Sequence, residues 1–253
     1  MECFDRSNLK KIDGVLRELY ELKLLCLLGI ITRKTSLRKL STQLGVDTSI
    51  LSKYMNRQIK PRYPRLQSIL SKLGEIEIED AIRECYDKGV YGFPEVNNIS
   101  WMCPHVYQCI IYKLAEFILN EDFTAFLTVE GGGLYIAAGL NRVFPRKKIL
   151  YALRDVLVQG GFSLRYKYVP AYAAGPRIKR YLTLPISRNV LAGEKIVIVD
   201  DFMWTGETVK ALSKYARSKD ASIVSIILIG ARSEAVENVT KHIGIKPYFL
   251  VEF

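Results

Sequence analysis

Apolar residues follow helical spacing through the first third of the chain and strand-like runs through the remainder. Leu9, Ile12, Leu16, Leu19, Tyr20 and Leu24 share one stripe and predict a helix over 9–31. Ser36 to Leu44 and Thr48 to Tyr54 predict two shorter helices, and Pro64 to Leu73 a fourth that stops at Gly74. Glu75, Glu77, Glu79 and Asp80 then open a further helix reaching about Lys88, with its carboxylates at the favourable end. Gly89 to Ser100, carrying Gly92, Pro94 and two asparagines, breaks the regularity. It divides a helical domain at 1–90 from a second domain at 95–253.

After Trp101 a helix is predicted over Val106 to Leu119. Short apolar runs follow at Ala125–Val129, Lys148–Leu153, Arg180–Pro185, Lys195–Val199, Ile223–Ile229 and Tyr248–Val251. Helical stretches at Leu134–Val143, Thr208–Ser218 and Ser233–His242 fall between several of them. Strands alternating with helices predict an α/β fold with a mostly parallel sheet.

Composition adds two constraints. With 49% hydrophobic and 25% charged residues in 253, the chain can bury an ordinary core. Its longest apolar stretch, Leu22 to Ile31, is interrupted by Lys23 and too short to span a bilayer, so no membrane partner is expected. The five cysteines (Cys3, Cys26, Cys85, Cys103 and Cys109) form no CxxC pair. They read as small buried hydrophobes rather than disulfide partners or metal ligands, and a reducing, cytoplasmic setting is expected.

The net charge of +11 is unevenly placed. From Thr32 to Arg65 there are nine Lys or Arg against the single acid Asp47, so this segment supplies most of the excess and points to an anionic partner.

The most informative stretch is Ile196-Val-Ile-Val199, a β-branched run suited to a buried strand, followed by Asp200-Asp201, a turn, and Thr205-Gly206-Glu207-Thr208 opening a helix. Ligands of open α/β sheets sit off the carboxyl ends of strands, where this turn falls. Amides of the first helical turn have no partner inside the helix, and with the helix dipole they attract an anion. Gly206 keeps a Cβ out of the way. Paired carboxylates beside a phosphate cradle need hydrogen-bond donors to face, and vicinal hydroxyls supply them. The turn therefore suits a molecule with a phosphate at one end and a diol beside it.

Ile196 to Thr208 resembles the thirteen-residue signature of type I phosphoribosyltransferases along its whole length. The Asp200-Asp-Phe-Met203 wording is similar to xanthine phosphoribosyltransferases and to the bacterial purine repressor, a transcription factor on the same fold. The likeness extends more weakly over about residues 100–253. It implies that Asp200 and Asp201 bind ribose hydroxyls and that Trp204, Thr205, Gly206, Glu207 and Thr208 surround the 5-phosphate. It also implies that Glu130, Gly131 and Gly132, between a strand and a helix, form a pyrophosphate-type loop.

Glu130 is an awkward neighbour for a pyrophosphate unless a magnesium ion or a cation intervenes. Active members of the family bring a mobile basic loop over the site. Phe162 to Tyr181, including Tyr168, Arg177 and Lys179, is the segment that suits this; the alternative is an exposed β-hairpin with a basic edge. Trp204 is bulky for a phosphate turn.

Ser36 to Arg57 resembles a helix-turn-helix of the lambda-repressor type. Leu37, Leu40 and Leu44 stripe the first helix, Gly45 allows the turn, and Asp47 caps the second helix. Ile50, Leu51 and Tyr54 then face inward, leaving Thr48, Ser49, Ser52, Lys53, Asn56 and Arg57 outward, as residues that read a major groove would be. Arg38, Lys39 and Lys60 flank them and suit phosphates. The alternative is a basic helical bundle used for packing.

Together these readings imply a DNA-binding regulator, expected as a homodimer, that senses phosphoribosyl pyrophosphate or a related nucleotide. No catalytic residue is assigned; the alternative is an active purine-type phosphoribosyltransferase with an accessory helical domain. Beyond magnesium accompanying a pyrophosphate-bearing ligand, no cofactor or metal is expected.

Overall fold

The computed structural model describes residues 6–74, 78–85, 99, 103–155, 162–168, 178–184 and 190–253. The chain divides into two compact units, Met1–Cys85 with Ile99–Glu116, and Tyr86–Asn98 with Phe117–Phe253.

In the first unit α1 spans Arg6–Lys34, α2 Leu37–Leu44, α3 Thr48–Met55, α4 Tyr63–Leu73, α5 Glu79–Glu84 and α6 Pro104–Phe117, whose last residue is assigned to the second unit. The local signals explain the boundaries. Ser36 accepts a bond from the Lys39 amide at the start of α2, and Asp47 accepts one from the Ser49 amide at 2.7 Å at the start of α3. Gly45, at φ +66°, ends α2 in the left-handed conformation and returns its amide to the Ser41 carbonyl. Leu24 and Leu28 of α1 pack with Leu40, Leu44, Leu51, Tyr54, Leu66 and Ile69 in one core. The helix expected from Glu75 is shorter than its sequence suggested, starting at Glu79; residues 75–77 and 86–98 lie outside the described set.

The cysteines require a correction. Cys26 bonds Cys109 and Cys85 bonds Cys103, so four of the five form disulfides within the helical unit; Cys3 lies outside the described residues. They are buried, as expected for cysteine, but partners 83 and 18 residues apart give no local spacing signal, and the reducing setting loses its basis.

The second unit holds a seven-stranded sheet in the order β3-β4-β2-β1-β5-β6-β7. The strands are β1 (Ala125–Val129), β2 (Lys148–Arg154), β3 (Phe162–Tyr168), β4 (Ile178–Leu184), β5 (Lys195–Met203), β6 (Ser222–Ala231) and β7 (Tyr248–Glu252). From β2 to β7 the neighbours are parallel, while β3 and β4 add an antiparallel hairpin at one edge. Helices α7 (Gly132–Asn141), α8 (Glu207–Arg217) and α9 (Ser233–Ile243) fill the crossovers.

Ala125, Leu127 and Val129 join Ile196 and Ile198 in a core with Val209, Leu212 and Val239 of α8 and α9. Alternate residues Phe126, Val197 and Val199 are equally buried on the opposite face, which is why these strands read as continuous apolar runs. Among the described residues no helix is long and apolar enough to cross a membrane.

Leu51, with no exposed surface in the middle of the helical core, gives a direct stability test. Leu51→Ala is expected to lower the unfolding free energy of the helical unit by ~2–5 kcal/mol, read by urea denaturation followed by circular dichroism.

Candidate functional site

Parallel pairing puts the carboxyl ends of β1, β2, β5 and β6 at one edge of the sheet, and the turns that leave them carry the polar residues. The central turn follows β5, which runs past the Val199 end expected from sequence to Met203 and so carries the acid pair on its last residues rather than in the turn. Asp200 is 5% exposed, whereas Asp201 is half-buried. The Asp201 amide donates to Asp200 Oδ1 at 3.0 Å, and the Phe202 amide to Asp201 Oδ1 at 2.8 Å. Each carboxylate is thus fixed by the next peptide, and Asp201 is the one more open to solvent.

Burial, then the neighbouring Asp201 charge, pushes the Asp200 pKa up to about 7, while Arg154 acts in the opposite direction. A carboxyl that is protonated can donate a hydrogen bond as well as accept one, so Asp200 is suited to both roles near neutral pH.

Gly206 sits at φ +75° as the N-cap of α8, and a Cβ there would lie 2.3 Å from Val239 Cγ2. Both the backbone angle and the contact demand glycine. Amides of Gly206, Glu207 and Thr208 belong to the end of the helix that has no carbonyl to bond. Thr205 Oγ1 accepts from the Glu207 amide at a long 3.4 Å. The Glu207 carboxylate is paired with Lys210 Nζ one turn on, which offsets a negative charge that an incoming anion would otherwise meet.

Trp204 does not stand alone in this turn. Its ring lies 4.6 Å from that of Phe253, the Arg232 guanidinium lies 5.9 Å from its centroid, and Phe202 meets Phe253 edge-on. A Cβ on Gly230 would come within 3.0 Å of both phenyl rings, so the glycine on β6 makes room for the cluster. Arg232 also pairs with Glu234 and gives its amide to the Met203 carbonyl. Sequence reading left Trp204 unexplained because its partners come from the segments that follow β6 and β7.

The second turn follows β1. Gly131 has φ +102°, and Gly133 is so close to β1 and β5 that a Cβ would lie 2.3 Å from Thr128 Oγ1 and 3.1 Å from Asp200 Oδ1. The glycine run therefore serves backbone angle at Gly131 and close packing at Gly133. The Glu130 carboxylate accepts from the Arg154 amide at 2.6 Å, and the Glu130 amide donates to Ala152. Glu130 is thereby turned onto the end of β2. Arg154 was not singled out from sequence, yet its charge reaches Asp200; its position at a strand end shows only once β2 is paired with β1.

Tyr168 and Lys179, expected in a mobile loop, are strand residues: Tyr168 lies opposite Ile178, and Lys179 opposite Lys167. The hairpin alternative describes these positions, and Arg177 lies outside the described residues.

In the helical unit Thr48, Ser49, Lys53, Asn56 and Arg57 are exposed, Ser52 is half-buried, and Arg38 and Lys39 are exposed on α2. Some basic residues are engaged within the fold. Lys60 pairs with Glu21 at 2.6 Å and Glu18 at 3.4 Å, and the Glu21 bond raises its pKa. Arg65 donates to the Gly45 carbonyl and Lys72 Nζ to the Leu44 carbonyl, which caps α2. The Arg57 guanidinium donates to the Gln108 side chain of α6.

With this geometry established, comparison with known proteins is specific. A profile described as the phosphoribosyl transferase domain matches residues 106–246. Hypoxanthine/guanine phosphoribosyltransferase of Methanopyrus kandleri is 22% identical over 62% of this chain and 79% of its own length. A probable purine biosynthesis transcriptional regulator, PurR, of Streptococcus pneumoniae is 23% identical over 52% of this chain but only 46% of its own. Among solved structures, adenine phosphoribosyltransferase of Thermoanaerobacter pseudethanolicus superposes with a TM-score of 0.56 at 19% identity, over 69% of this chain and 99% of that one. That of Leishmania tarentolae gives 0.57 at 16%, over 70% and 88%. At these identities the superpositions establish the fold.

The raised Asp200 pKa sets a pH dependence. A carboxyl that titrates at 3.8 when unfolded and about 7 when folded favours the folded state at low pH and loses that contribution as pH rises from about 4 to 7. Asp200→Asn is expected to raise the melting temperature by on the order of 5 °C at pH 8 and to leave it nearly unchanged at pH 4, as differential scanning fluorimetry would show. An equal shift at both pH values would mean that Asp200 is not held protonated by its surroundings.

Proposed function

The chain belongs to the phosphoribosyl transferase domain family, and from that premise we propose that it is a DNA-binding regulator whose second unit senses a phosphoribosyl ligand. The observation that carries this reading is the association of two sites in one chain. A diol-and-phosphate turn at Asp200–Thr208 is joined to a helical unit whose α3 exposes Thr48, Ser49, Lys53 and Asn56 beside a basic surface. Likeness to the pneumococcal regulator over 52% of this chain favours a regulatory role.

The ligand places its ribose hydroxyls on Asp201 and the rim of Asp200, and its 5-phosphate on the amides of Gly206 to Thr208. In a major groove, α3 meets base edges with Thr48, Ser49, Lys53 and Asn56, while Arg38 and Lys39 meet phosphates. Lys60 contributes by fixing the segment after α3 to α1 through Glu18 and Glu21. Two such units, paired in a homodimer, read two half-sites. Ligand affinity that differs between two arrangements of the protein shifts DNA affinity by that difference, typically ~1–3 kcal/mol.

The second reading, a working purine-type phosphoribosyltransferase, is favoured by relatives whose names state that activity. Against it stand Glu130 in the glycine turn and the Trp204 cluster in the phosphate turn. Magnesium belongs to either reading as the counter-ion of a pyrophosphate-bearing ligand. Among the described residues no three acids, histidines or cysteines are grouped to hold an ion alone, while the more open carboxylate of Asp201 can share one with ligand oxygens.

Three measurements separate these readings. Phosphoribosyl pyrophosphate is expected to shift the dissociation constant for duplex DNA by at least about fivefold, and Asp200→Asn combined with Asp201→Asn to abolish that shift while DNA binding persists. Asn56→Ala is expected to cost ~1–3 kcal/mol of sequence-specific affinity in fluorescence anisotropy. Incubation with phosphoribosyl pyrophosphate, magnesium and each nucleobase is expected to give no turnover; rates of ~1–10³ per second would instead make the protein an enzyme.

A further inference from the structure

Helix α6 belongs to two stories at once. It packs in the helical unit, yet the chain runs directly from it into β1, the strand that ends in the glycine turn of the ligand site. Its attachments to the helices before it are unusually specific. Gly29 of α1 lies so close that a Cβ there would come 2.3 Å from His105 Cβ. One turn along, on the same faces of the two helices, Cys26 is bonded to Cys109. Cys103, immediately before α6, is bonded to Cys85, the C-cap of α5. Next to Cys109, the Gln108 side chain holds the Arg57 guanidinium at the end of α3, where the Arg57 backbone adopts φ +56°. The helix that leads into the ligand unit is thus bound covalently to the DNA-contacting unit, and it touches the end of the helix that would enter the groove.

We propose that the two disulfides are a thiol-controlled coupling between ligand and DNA, an inference that rests on the regulator reading above. In the oxidised chain α6 cannot slide along α1, and a displacement at the ligand unit reaches Arg57 through Gln108. In the reduced chain α6 is held by packing alone, and the ligand no longer changes DNA affinity.

Opening each bridge consumes two equivalents of a low-molecular-weight thiol. Its thiolate attacks one sulfur, expelling one cysteine thiolate and forming a mixed disulfide; a second thiolate displaces the other cysteine. The products are two protein thiols and one small disulfide, and closure runs the same exchange backwards with that disulfide as oxidant. The two bridges are not equivalent. The Arg33 guanidinium lies 3.6 Å from Cys85 Sγ, where it stabilises a departing thiolate. Cys26 and Cys109 are only 1% and 0% exposed and have no such cation described beside them. Cys85–Cys103 is the bridge that opens first.

The test uses the full chain in three states: oxidised, reduced with a small dithiol, and oxidised Gln108→Ala. Alkylation and intact mass define the thiol count of each sample, and circular dichroism verifies that the reduced protein remains folded. Duplex DNA is titrated with and without phosphoribosyl pyrophosphate. The expected result is a ligand-induced change in affinity of at least about fivefold in the oxidised protein, falling below twofold on reduction and in Gln108→Ala, with ligand-free DNA affinity little altered. Cys26→Ser, Cys85→Ser, Cys103→Ser and Cys109→Ser combined are expected to behave like the reduced protein without any reductant, which covers the case in which reduction unfolds the wild type. An equal ligand effect in oxidised and reduced protein overturns the inference and leaves the regulator reading intact. Absence of DNA binding in every state removes the regulator reading, and this inference with it.

Discussion

Asp200 and Gly133 meet where β5 and α7 converge, and the carboxyl end of the parallel sheet is arranged around that contact. A side chain at 133 would strike Thr128, the Val199 carbonyl and Asp200 together. The absence of one lets the helix after β1 approach the end of β5, which buries the Asp200 carboxylate. Burial raises its pKa and leaves the more open Asp201 as the main polar face of the pair. The same approach brings the turn after β1 close to the carboxyl end of β5. The parallel β1–β5 pairing, in register from Ala125 with Ile196 to Leu127 with Ile198, supplies the rigid base. In energetic terms the raised pKa is the consequence of burying that carboxyl, and the apolar packing of α8 and α9 against β1 and β5 holds it there.

Much of this was legible in the residue order, because its determinants are local. A β-branched run, an acid pair and a Thr-Gly-x-Thr opening specify a strand, a turn and a helix start within thirteen residues, and the structure places β5 and α8 there, with β5 running on through the acid pair to Met203. Ser36, Gly45 and Asp47 likewise announced the ends of α2 and α3 through capping chemistry that needs no tertiary partner. Features set by distant partners were illegible. Arg154 gains its place beside Glu130 only through β1–β2 pairing, and Trp204 finds Phe253 and Arg232 across two strands. The disulfides join residues with no spacing signature at all. The strand at Phe162–Tyr168 was open between loop and hairpin, since its alternation of aromatic and basic residues satisfies either.

The basic segment shows how a net charge divides by structural duty. Counting Lys and Arg between Thr32 and Arg65 suggests a uniform electrostatic surface, but the structure assigns several of those cations to internal tasks. Lys60 is tied to two glutamates of α1, Arg65 caps α2, and Arg33 lies beside Cys85 and Glu84. Exposed ion pairs of this kind add little stability individually, so their consequence is geometric: they hold the ends of α2 and the segment after α3 in fixed positions. Arg38, Lys39 and Lys53 are exposed on α2 and α3 themselves. An electrostatic surface built from these residues is narrower than the sequence count implies and is centred on α2 and α3.

That division bears on how a message could pass along the chain. A phosphate turn and a polar helix on one polypeptide can bind their ligands independently; coupling requires an element whose position both sites influence. Most of the chain between them is unsuited to this task, because the internal ion pairs and caps fasten α2, α3 and α4 to one another and to α1. Helix α6 differs, since one end continues into the strand bearing the glycine turn while its Gln108 grips Arg57 at the free end of α3. Arg57 itself takes a left-handed backbone where α3 ends, with its amide bonded to the Tyr54 carbonyl and the Gln58 amide to the Lys53 carbonyl. An element joined at both ends in this way is one whose position both ends of the chain influence.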